Sequence, residues 1–156
     1  MTSRLDNVQQ QLGLQVSSAS RSHGSLVLEL ARADLLSVVQ RLKTEFAFDL
    51  LLDVTAVDWP LKTPRFEVVY HLYSTQHRDR VRIKTAVELA DPAVESLVSL
   101  YGSAHFMERE CHDMYGIVFR GNPDLRPILL YEGFVGHPLR KDYGKHDEQP
   151  LVPYRI

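Results

Sequence analysis

Two pairs of acidic residues have spacings that could support acid–base chemistry. Glu110 and Asp113 stand three residues apart, which on a helix places both carboxylates on one face. Asp53 and Asp58 flank the apolar run 54–57. A hydrolytic site needs a nucleophile beside a base, and no Ser–His arrangement of suitable context accompanies the second pair. We therefore interpret Asp53 and Asp58 as residues that make turn or strand-edge hydrogen bonds.

For the first pair, two interpretations stay open. Arg109 stands four residues before Asp113, so an ion-paired helix surface that orients the turn at Gly116 accounts for the charges. The alternative is a stand-alone enzyme that uses Glu110 and Asp113 as acid and base. A concave pocket that holds both carboxylates, or turnover that requires Glu110, would favour the enzyme. The structural interpretation is the favoured one.

The remaining candidate sites are incomplete. Cys111 and His112, with His105 seven residues earlier, suggest a metal site, but no second cysteine or compact histidine cluster completes four ligands. The glycines of the segment 133–138 resemble a phosphate loop, yet such a loop must lead into a helix and no clear helix start follows. We therefore predict that this chain has no catalytic residue, no metal site and no cofactor-binding site.

Composition and charge indicate a small globular protein. The 156 residues are 44% hydrophobic and 24% charged, which suffices for one domain with a core. A net charge of −2 provides no basic face for nucleic acid. The single cysteine excludes an internal disulfide and a cysteine-only iron–sulfur site, and it suggests a reducing compartment. No run approaches the ~20 apolar residues of a membrane span, and residues 1–11 lack the apolar region of a signal peptide.

The elements that must position these residues follow from hydrophobic periodicity. The predicted elements are a helix ended by Gly13, a strand over 25–30, a helix capped by Asp34 and running to Phe46, a buried strand over 50–59, an antiparallel hairpin of strands over 66–73 and 81–89, and helices over 91–102 and 106–115. This order predicts an α+β fold with a mostly antiparallel sheet and helices packed on it. A long irregular C-terminal segment follows.

That segment, 121–156, is irregular and apolar at once. It holds four of the eight glycines and five of the eight prolines, which rules out a long helix or a central strand. Its many apolar residues are typical of a segment that packs against another protein, and we expect it to be mobile or aberrantly packed in the isolated chain. The chain thus divides into an α+β region (1–104), a charged helix with a short strand (105–120) and a partner-wrapping extension (121–156), within a single domain.

Three sequence motifs within the last third carry a specific resemblance. They are Glu108-Arg109-Glu110-Cys111-His112-Asp113-Met114-Tyr115-Gly116, then Phe119-Arg120-Gly121-Asn122-Pro123, then Glu132-Gly133-Phe134-Val135-Gly136-His137-Pro138-Leu139-Arg140-Lys141-Asp142-Tyr143. In this order and spacing they resemble the 30 kDa subunit family of respiratory complex I, which includes the subunits C of bacterial NADH-quinone oxidoreductases (NDH-1). Phe106 and Pro127 depart from the family pattern, in which Trp and a second Arg are common at these positions.

The resemblance implies a non-catalytic structural subunit in the peripheral arm of a proton-translocating complex. That complex passes electrons from NADH through FMN and iron–sulfur clusters to quinone, and these cofactors would lie in partner subunits. The implied partners are subunits D, B and I, of which D, the quinone-site subunit, is the main one, and G is a further candidate. The implied location is the cytoplasmic side of the inner membrane, reached only through the complex. An equivalent assembly subunit of a membrane-bound hydrogenase or of the ferredoxin-fed photosynthetic complex is the alternative, which neighbouring genes for NADH-binding subunits would decide.

Partner docking is expected to use the charged helix and the loop that follows it. The expected helix residues are Glu108, Arg109, Glu110 and Asp113. The expected loop residues are Phe119, Gly121, Pro123, Leu129, Glu132, Gly133, Gly136, Pro138, Leu139, Arg140, Lys141 and Tyr143. Between apolar neighbours, the run 140–142 has the alternation of anchor and rim residues found in interfaces, and we expect Arg140 to enter a desolvated ion pair or carbonyl cluster of the partner.

Overall fold

The computed structural model describes residues 3–144, 146 and 149. Its elements are α1 (Arg4–Leu12), a 3-10 turn (Gly13–Gln15), β1 (Ser18–Ser22), β2 (Ser25–Leu30), α2 (Leu35–Thr44), β3 (Leu50–Asp58), β4 (Phe66–Tyr73), β5 (Arg80–Val87), β6 (Ala93–Glu95), α3 (Ala104–Tyr115) and β7 (Val118–Arg120). The described residues form a five-stranded sheet in the order β1-β2-β5-β4-β3 and a separate β6-β7 pair. The β2–β5 and β6–β7 pairs are parallel and the others antiparallel, which confirms the predicted α+β class.

One face of the large sheet carries the core. Alternate residues of β4, from Phe66 to Leu72, are buried, as expected for a strand with one covered face. They pack in one cluster with the apolar stripe of α2 and with Cys111 of α3. Because α3 also packs along β3, the sheet fixes the position of the charged helix.

Several predicted elements are confirmed. Gly13, with φ 55°, ends α1, and a capping box between Ser3 and Asp6 begins it. The predicted hairpin pairs in register from Phe66↔Val87 to Tyr73↔Arg80. The charged helix is present and begins at Ala104, slightly earlier than predicted. Within the described residues, no helix has both the length and the apolar character needed to cross a membrane.

Other local expectations are wrong. The range 91–102 does not form a helix. Its residues Ala93–Glu95 form β6 instead, in which Val94 pairs in parallel with Phe119 of β7. Asp34 precedes α2 but does not cap it with its side chain, and its carbonyl instead accepts a hydrogen bond from the Ser37 hydroxyl. The strand β3 is only half-buried, since every second residue faces away from the core.

Candidate docking surface

The C-terminal end of α3 organises residues 121–144, a segment that we call the anchored loop. Helix α3 ends at Gly116, which adopts the left-handed conformation with φ 73°. The last carbonyls of a helix lack partners within it, so other groups must satisfy them. The loop supplies these donors: His137 Nδ1 to Asp113 O at 2.9 Å, Leu139 N to Met114 O at 3.1 Å, and Arg140 Nε to Tyr115 O at 2.7 Å. The loop therefore closes the end of the helix.

Asp113 holds the first half of the anchored loop. Its carboxylate is 3% exposed, and Oδ2 accepts three consecutive backbone N–H groups, those of Ile128 at 2.9 Å, Leu129 at 2.9 Å and Leu130 at 3.2 Å. Hydrogen bonds to an ionised acceptor are roughly twice as strong as those between neutral groups. One carboxylate thus fixes the backbone path of the segment 128–130.

Arg109 fixes the residues immediately before that segment. Its Nε donates to the carbonyl of Arg126 at 2.9 Å, and its Nη2 donates to that of Pro127 at 3.0 Å. The predicted surface ion pair between Arg109 and Asp113 is therefore wrong. Arg109 instead donates to backbone carbonyls of the loop, and Asp113 accepts from backbone N–H groups of the loop. The spacing of residues within one helix cannot predict such contacts.

Glu108 is fully buried and joins α3 to the β6–β7 region. Its carboxylate accepts hydrogen bonds from the Ser96 hydroxyl at 2.7 Å, the Leu97 N–H at 2.7 Å and the Asn122 amide at 2.8 Å. Burial raises the pKa of Glu108 above its ordinary value of 4.5, although the three hydrogen bonds favour the ionised form. The expectation that Glu108 contacts a partner directly is wrong, since its contacts lie inside the chain.

The raised pKa gives a pH dependence of known sign. The folded state binds the proton of Glu108 more tightly than the unfolded state does. The free energy of unfolding therefore falls as the pH rises from the ordinary pKa, 4.5, through the raised folded-state pKa. We expect Glu108→Gln to remove this slope from the free energy of unfolding, measured by urea denaturation between about pH 4 and 8. Glu110→Gln, on the exposed side of the same helix, is the matched control. Parallel pH curves for Glu108→Gln and the natural chain would contradict the assignment.

A second attachment, which we call the latch, fastens the other end of the loop to the β3–β4 hairpin. Asp58, 3% exposed, binds Arg65 through two hydrogen bonds of 2.7 and 2.8 Å, and also accepts the Lys141 N–H at 2.7 Å. Arg65 in turn donates to Asp142 at 2.8 Å. The Arg65 guanidinium holds the pKa of Asp58 below its ordinary value. The interpretation of Asp58 as a hydrogen-bonding residue is confirmed.

Arg140 lies between the latch and α3. Its guanidinium carbon is 5.1 Å from the centroid of the Phe66 ring, and its Nε is bound to the Tyr115 carbonyl. A Cβ added to Gly116 would overlap the side chains of both His137 and Arg140, so glycine is required there for space as well as for its backbone conformation. The carbonyl contact expected for Arg140 is thus made within the chain, and a contact with a partner stays a prediction.

Aromatic packing gives the loop its own small core. The rings of Phe134 and Tyr143 stack with centroids 6.2 Å apart, and Tyr131 meets Phe134 edge-on at 5.3 Å. Gln149 accepts from the Tyr131 hydroxyl at 3.1 Å and donates to the Val135 carbonyl at 2.6 Å. The described part of the segment thus has partners within its own chain, while its expected mobility in the isolated chain stays a prediction. The rest of the predicted extension, residues 145, 147, 148 and 150–156, lies outside the described residues.

The anchored loop nevertheless exposes a row of large apolar side chains. Their exposed fractions are 38% for Ile128, 61% for Leu129, 38% for Tyr131, 75% for Val135 and 48% for Leu139. All five lie within the range 128–139 of one ordered segment, and apolar exposure of this kind is typical of sites of interaction with other proteins. The backbone is held by α3 and the latch, while these side chains remain available to a partner.

The sixteen residues expected to dock a partner divide into those that contact other residues of the chain and those that are exposed. Glu108, Arg109, Asp113, Phe119 and Arg140 make contacts within the chain. Those exposed are Glu110, Gly121, Pro123, Leu129, Glu132, Gly133, Gly136, Leu139 and Lys141, while Pro138 and Tyr143 are half-buried. The sequence indicated Asp58 as a hydrogen-bonding residue but not its partner Arg65, for which opposite charges on either side of a turn were the available signal. Sequence reasoning also missed His137 and Gln149, for which no local signal exists.

The histidines of α3 have separate partners. His105 Nδ1 lies 3.1 Å from the side-chain oxygen of Asn122, and His112 Nδ1 donates to the Ile117 carbonyl at 2.8 Å. Among the residues that the structure describes, no three His, Cys, Asp or Glu side chains lie where they could together hold a metal ion. The two rings therefore hold the chain that follows the end of the helix.

Sequence comparison matches the chain to a family model and to individual relatives. The family model for the respiratory-chain NADH dehydrogenase, 30 Kd subunit, matches residues 28–149. Two of the relatives are subunits C of NADH-quinone oxidoreductases. The one from Geotalea uraniireducens is 42% identical over 120 residues, covering 77% of this chain and 73% of that protein. The one from Acidithiobacillus ferrooxidans is 42% identical over 155 residues, covering 92% of this chain and 77% of that protein.

Two solved structures share the fold. A trypsin-resistant fragment of Nqo5, residues 1–134, matches with a TM-score of 0.72 and 30% identity, covering 79% of this chain and 100% of the fragment. A chain of the membrane-bound sulfane sulfur reductase, an archaeal respiratory membrane complex, matches with a TM-score of 0.78 and 25% identity, covering 91% of this chain and 84% of that one. The fold therefore recurs in a chain of a respiratory membrane complex.

Proposed function

The chain belongs to the 30 kDa subunit family of the respiratory-chain NADH dehydrogenase, and from this we propose that its anchored loop docks the quinone-site subunit. As a member of this family it is a structural subunit of NADH-quinone oxidoreductase, a membrane-associated complex. We propose that it lies in the peripheral arm on the cytoplasmic side, near subunits B and I, with G as a further neighbour. The complex passes electrons from NADH to quinone and translocates protons.

One observation carries this proposal: the loop is fixed in position while its apolar side chains are not covered by described residues. Val135 is 75% exposed, on a segment whose backbone is bound to Asp113 and to the latch. Binding costs free energy when loops and side chains must be ordered, so a loop ordered in advance binds more tightly. A docking element has backbone groups that are hydrogen-bonded within its own chain and apolar side chains that are exposed to a partner.

The chemistry of the chain supports a role without cofactors. Cys111 is the single cysteine of the sequence and is buried, and burial raises the pKa of its thiol far above its ordinary value, whereas iron–sulfur clusters are held by several cysteine thiolates. We propose that FMN and the iron–sulfur clusters lie in other subunits and that the isolated chain has no activity. Asp113 is buried and bound to backbone N–H groups whereas Glu110 is exposed, which does not fit a shared acid–base pair.

A second candidate is the equivalent subunit of a related respiratory membrane complex. The observation that favours it is the TM-score of 0.78 with a chain of the sulfane sulfur reductase. The same docking surface would serve an equivalent partner there. The hydrogenase and ferredoxin-fed complexes fall in this class, and the identity of the co-purified subunits separates all of them from the NADH-linked complex.

Co-purification from native membranes tests the proposed function. A tagged chain is expected to recover subunits D, B and I. The variant carrying both Leu129→Glu and Val135→Glu should lower the recovery of the quinone-site subunit at least tenfold, because carboxylates would have to enter an apolar contact, at a cost of more than about 1.4 kcal/mol. Both sites are exposed, so the melting temperature of the isolated chain should stay within a few degrees of its natural value.

The control for this pair is Leu14→Glu, at a fully exposed position of the 3-10 turn remote in sequence from the loop. Full recovery of the quinone-site subunit by the double variant would remove the docking role from the anchored loop. Recovery of hydrogenase or sulfur-reductase subunits in place of NADH-binding ones would establish the second candidate.

A further inference from the structure

A second group of exposed apolar side chains lies at the turn between β3 and β4, residues 59–65, which we call the hairpin loop. Trp59 is 39% exposed and Leu61 is 99% exposed. The turn is ordered by hydrogen bonds from Trp59 N to Arg65 O and from Lys62 N to Trp59 O, both 2.9 Å. Lys62 Nζ stands 3.8 Å from the centroid of the Trp59 ring. A fully exposed leucine at the tip of an ordered turn has no function in the core of this chain.

The hairpin loop is also one wall of a groove. The groove has a volume of about 470 Å³, and its opposite wall is formed by the residues that follow β5, including Leu89. Leu89 is itself 48% exposed. The groove is therefore lined by apolar residues, among them Pro60 and Leu89, together with the charged residues Lys62, Arg65 and Glu88.

The hairpin loop and the anchored loop are neighbours. Asp58 directly precedes Trp59, and its carboxylate binds the Lys141 N–H at 2.7 Å, two residues after Leu139. Consecutive Cα atoms are about 3.8 Å apart, so the Cα atoms of Trp59 and Leu139 lie within about 20 Å of each other. A standard interface covers about 800 Å² per partner, a patch about 30 Å across. One partner surface can therefore contact both loops.

The latch also holds the two loops in a fixed relation. Arg65, the last residue of the hairpin loop, donates to Asp58 at 2.7 Å and to Asp142 at 2.8 Å. Its guanidinium carbon lies 5.2 Å from the centroid of the Phe66 ring, on which Arg140 also rests. The hairpin loop is thereby ordered together with the anchored loop, so a partner that binds one meets the other in a set position.

We propose that the hairpin loop is a second element of the docking surface and that it contacts the same partner subunit as the anchored loop. This inference rests on the proposed function. The complementary site on the partner is an apolar depression that receives Leu61, with a carboxylate at its rim that faces Lys62. A rim charge of this kind sets orientation and association rate, whereas the buried leucine supplies affinity.

The first test replaces Leu61 by glutamate in the full chain and measures recovery of the partner complex from membranes. Leu61→Glu is expected to lower the recovery of the partner at least tenfold without changing the melting temperature of the isolated chain, because the side chain has no contacts to lose. Leu14→Glu is the matched control, since Leu14 is equally exposed on another element. Natural recovery by Leu61→Glu, or an equal loss with Leu14→Glu, would overturn the inference.

The second test identifies the subunit that each loop contacts. A photoreactive amino acid is placed at position 61 in one chain and at position 135 in another, and the assembled complexes are irradiated. The same subunit cross-linked from both positions supports the inference. A cross-link at 135 alone, or to a different subunit at 61, overturns the inference and leaves the proposed function standing. Absence of a cross-link at both positions overturns the proposed function as well.

Discussion

Replacing Asp113 by alanine is expected to detach the first half of the anchored loop and to abolish docking, while the sheet stays folded. The carboxylate is the common acceptor of the Ile128, Leu129 and Leu130 N–H groups. A hydrogen bond to a charged group contributes about 1.5–3 kcal/mol, but the three share one oxygen and water can replace part of them. A loss of about 2–4 kcal/mol for the loop is the expected result.

Hydrogen exchange measures this loss residue by residue. The amides of the segment 128–130 should exchange about 30 to 1000 times faster in Asp113→Ala, whereas those of β4 and β5 should be unchanged. Glu110→Ala is the control, because Glu110 is exposed one turn earlier on the same helix. Recovery of the quinone-site subunit should fall with the exchange protection. Unchanged protection in Asp113→Ala would show that other contacts hold the loop.

Replacing Arg140 by glutamate is expected to open the second half of the loop and prevent assembly. The new carboxylate would face the Tyr115 carbonyl and stand near Asp58 and Asp142, where the natural guanidinium is attracted to both acids. The packing on the Phe66 ring would also be lost. Reversing a half-buried charge costs about 2–4 kcal/mol, which is enough to lower the population of the docked loop more than tenfold.

Native-gel assembly and quinone reductase activity in membranes of the variant strain measure the effect. Oxidation of NADH by artificial acceptors in the remaining flavin-bearing subcomplex should not change, since we assign Arg140 to no electron-transfer site. Lys141→Glu is the matched control for the opening of the loop, which is compared in the isolated chain. This substitution should leave the loop closed, because the latch uses only the backbone N–H of Lys141. Full assembly at natural activity in Arg140→Glu would refute the role proposed for the segment 139–143.

Periodicity sufficed for elements whose partners are near in sequence. The hairpin of β4 and β5 and the amphipathic stripe of α2 were predictable because alternate residues, or residues three and four apart, share one environment. The range 91–102 has helical spacing too. Its part Ala93–Glu95 nevertheless forms β6, since the parallel pairing of Val94 with Phe119 joins residues 25 positions apart, and such pairing overrides local propensity.

The site shows the same division. The sequence indicated that the charged residues of α3 and the run 140–142 matter, but not the direction in which each side chain turns. Asp113 was placed on one face with Glu110 and paired with Arg109, but it is buried while Glu110 is exposed, and its three donors come from residues 15 to 17 positions later in an irregular loop. The contact between Asp58 and Lys141 spans 83 positions, and no local pattern encodes it.

The parallel pairing of β2 with β5 has a consequence for synthesis of the protein. Leu26 cannot pair with Val81 until β5 has been synthesised, because the two strands are neighbours in space but far apart in the chain. Helix α3 and the anchored loop emerge from the ribosome later still, and folding proceeds in the order in which interacting segments become available. A translation product that stopped before residue 121 would contain every strand of the five-stranded sheet and still lack the surface that we propose docks the chain to the complex. On that proposal, synthesis of this segment is a condition of assembly.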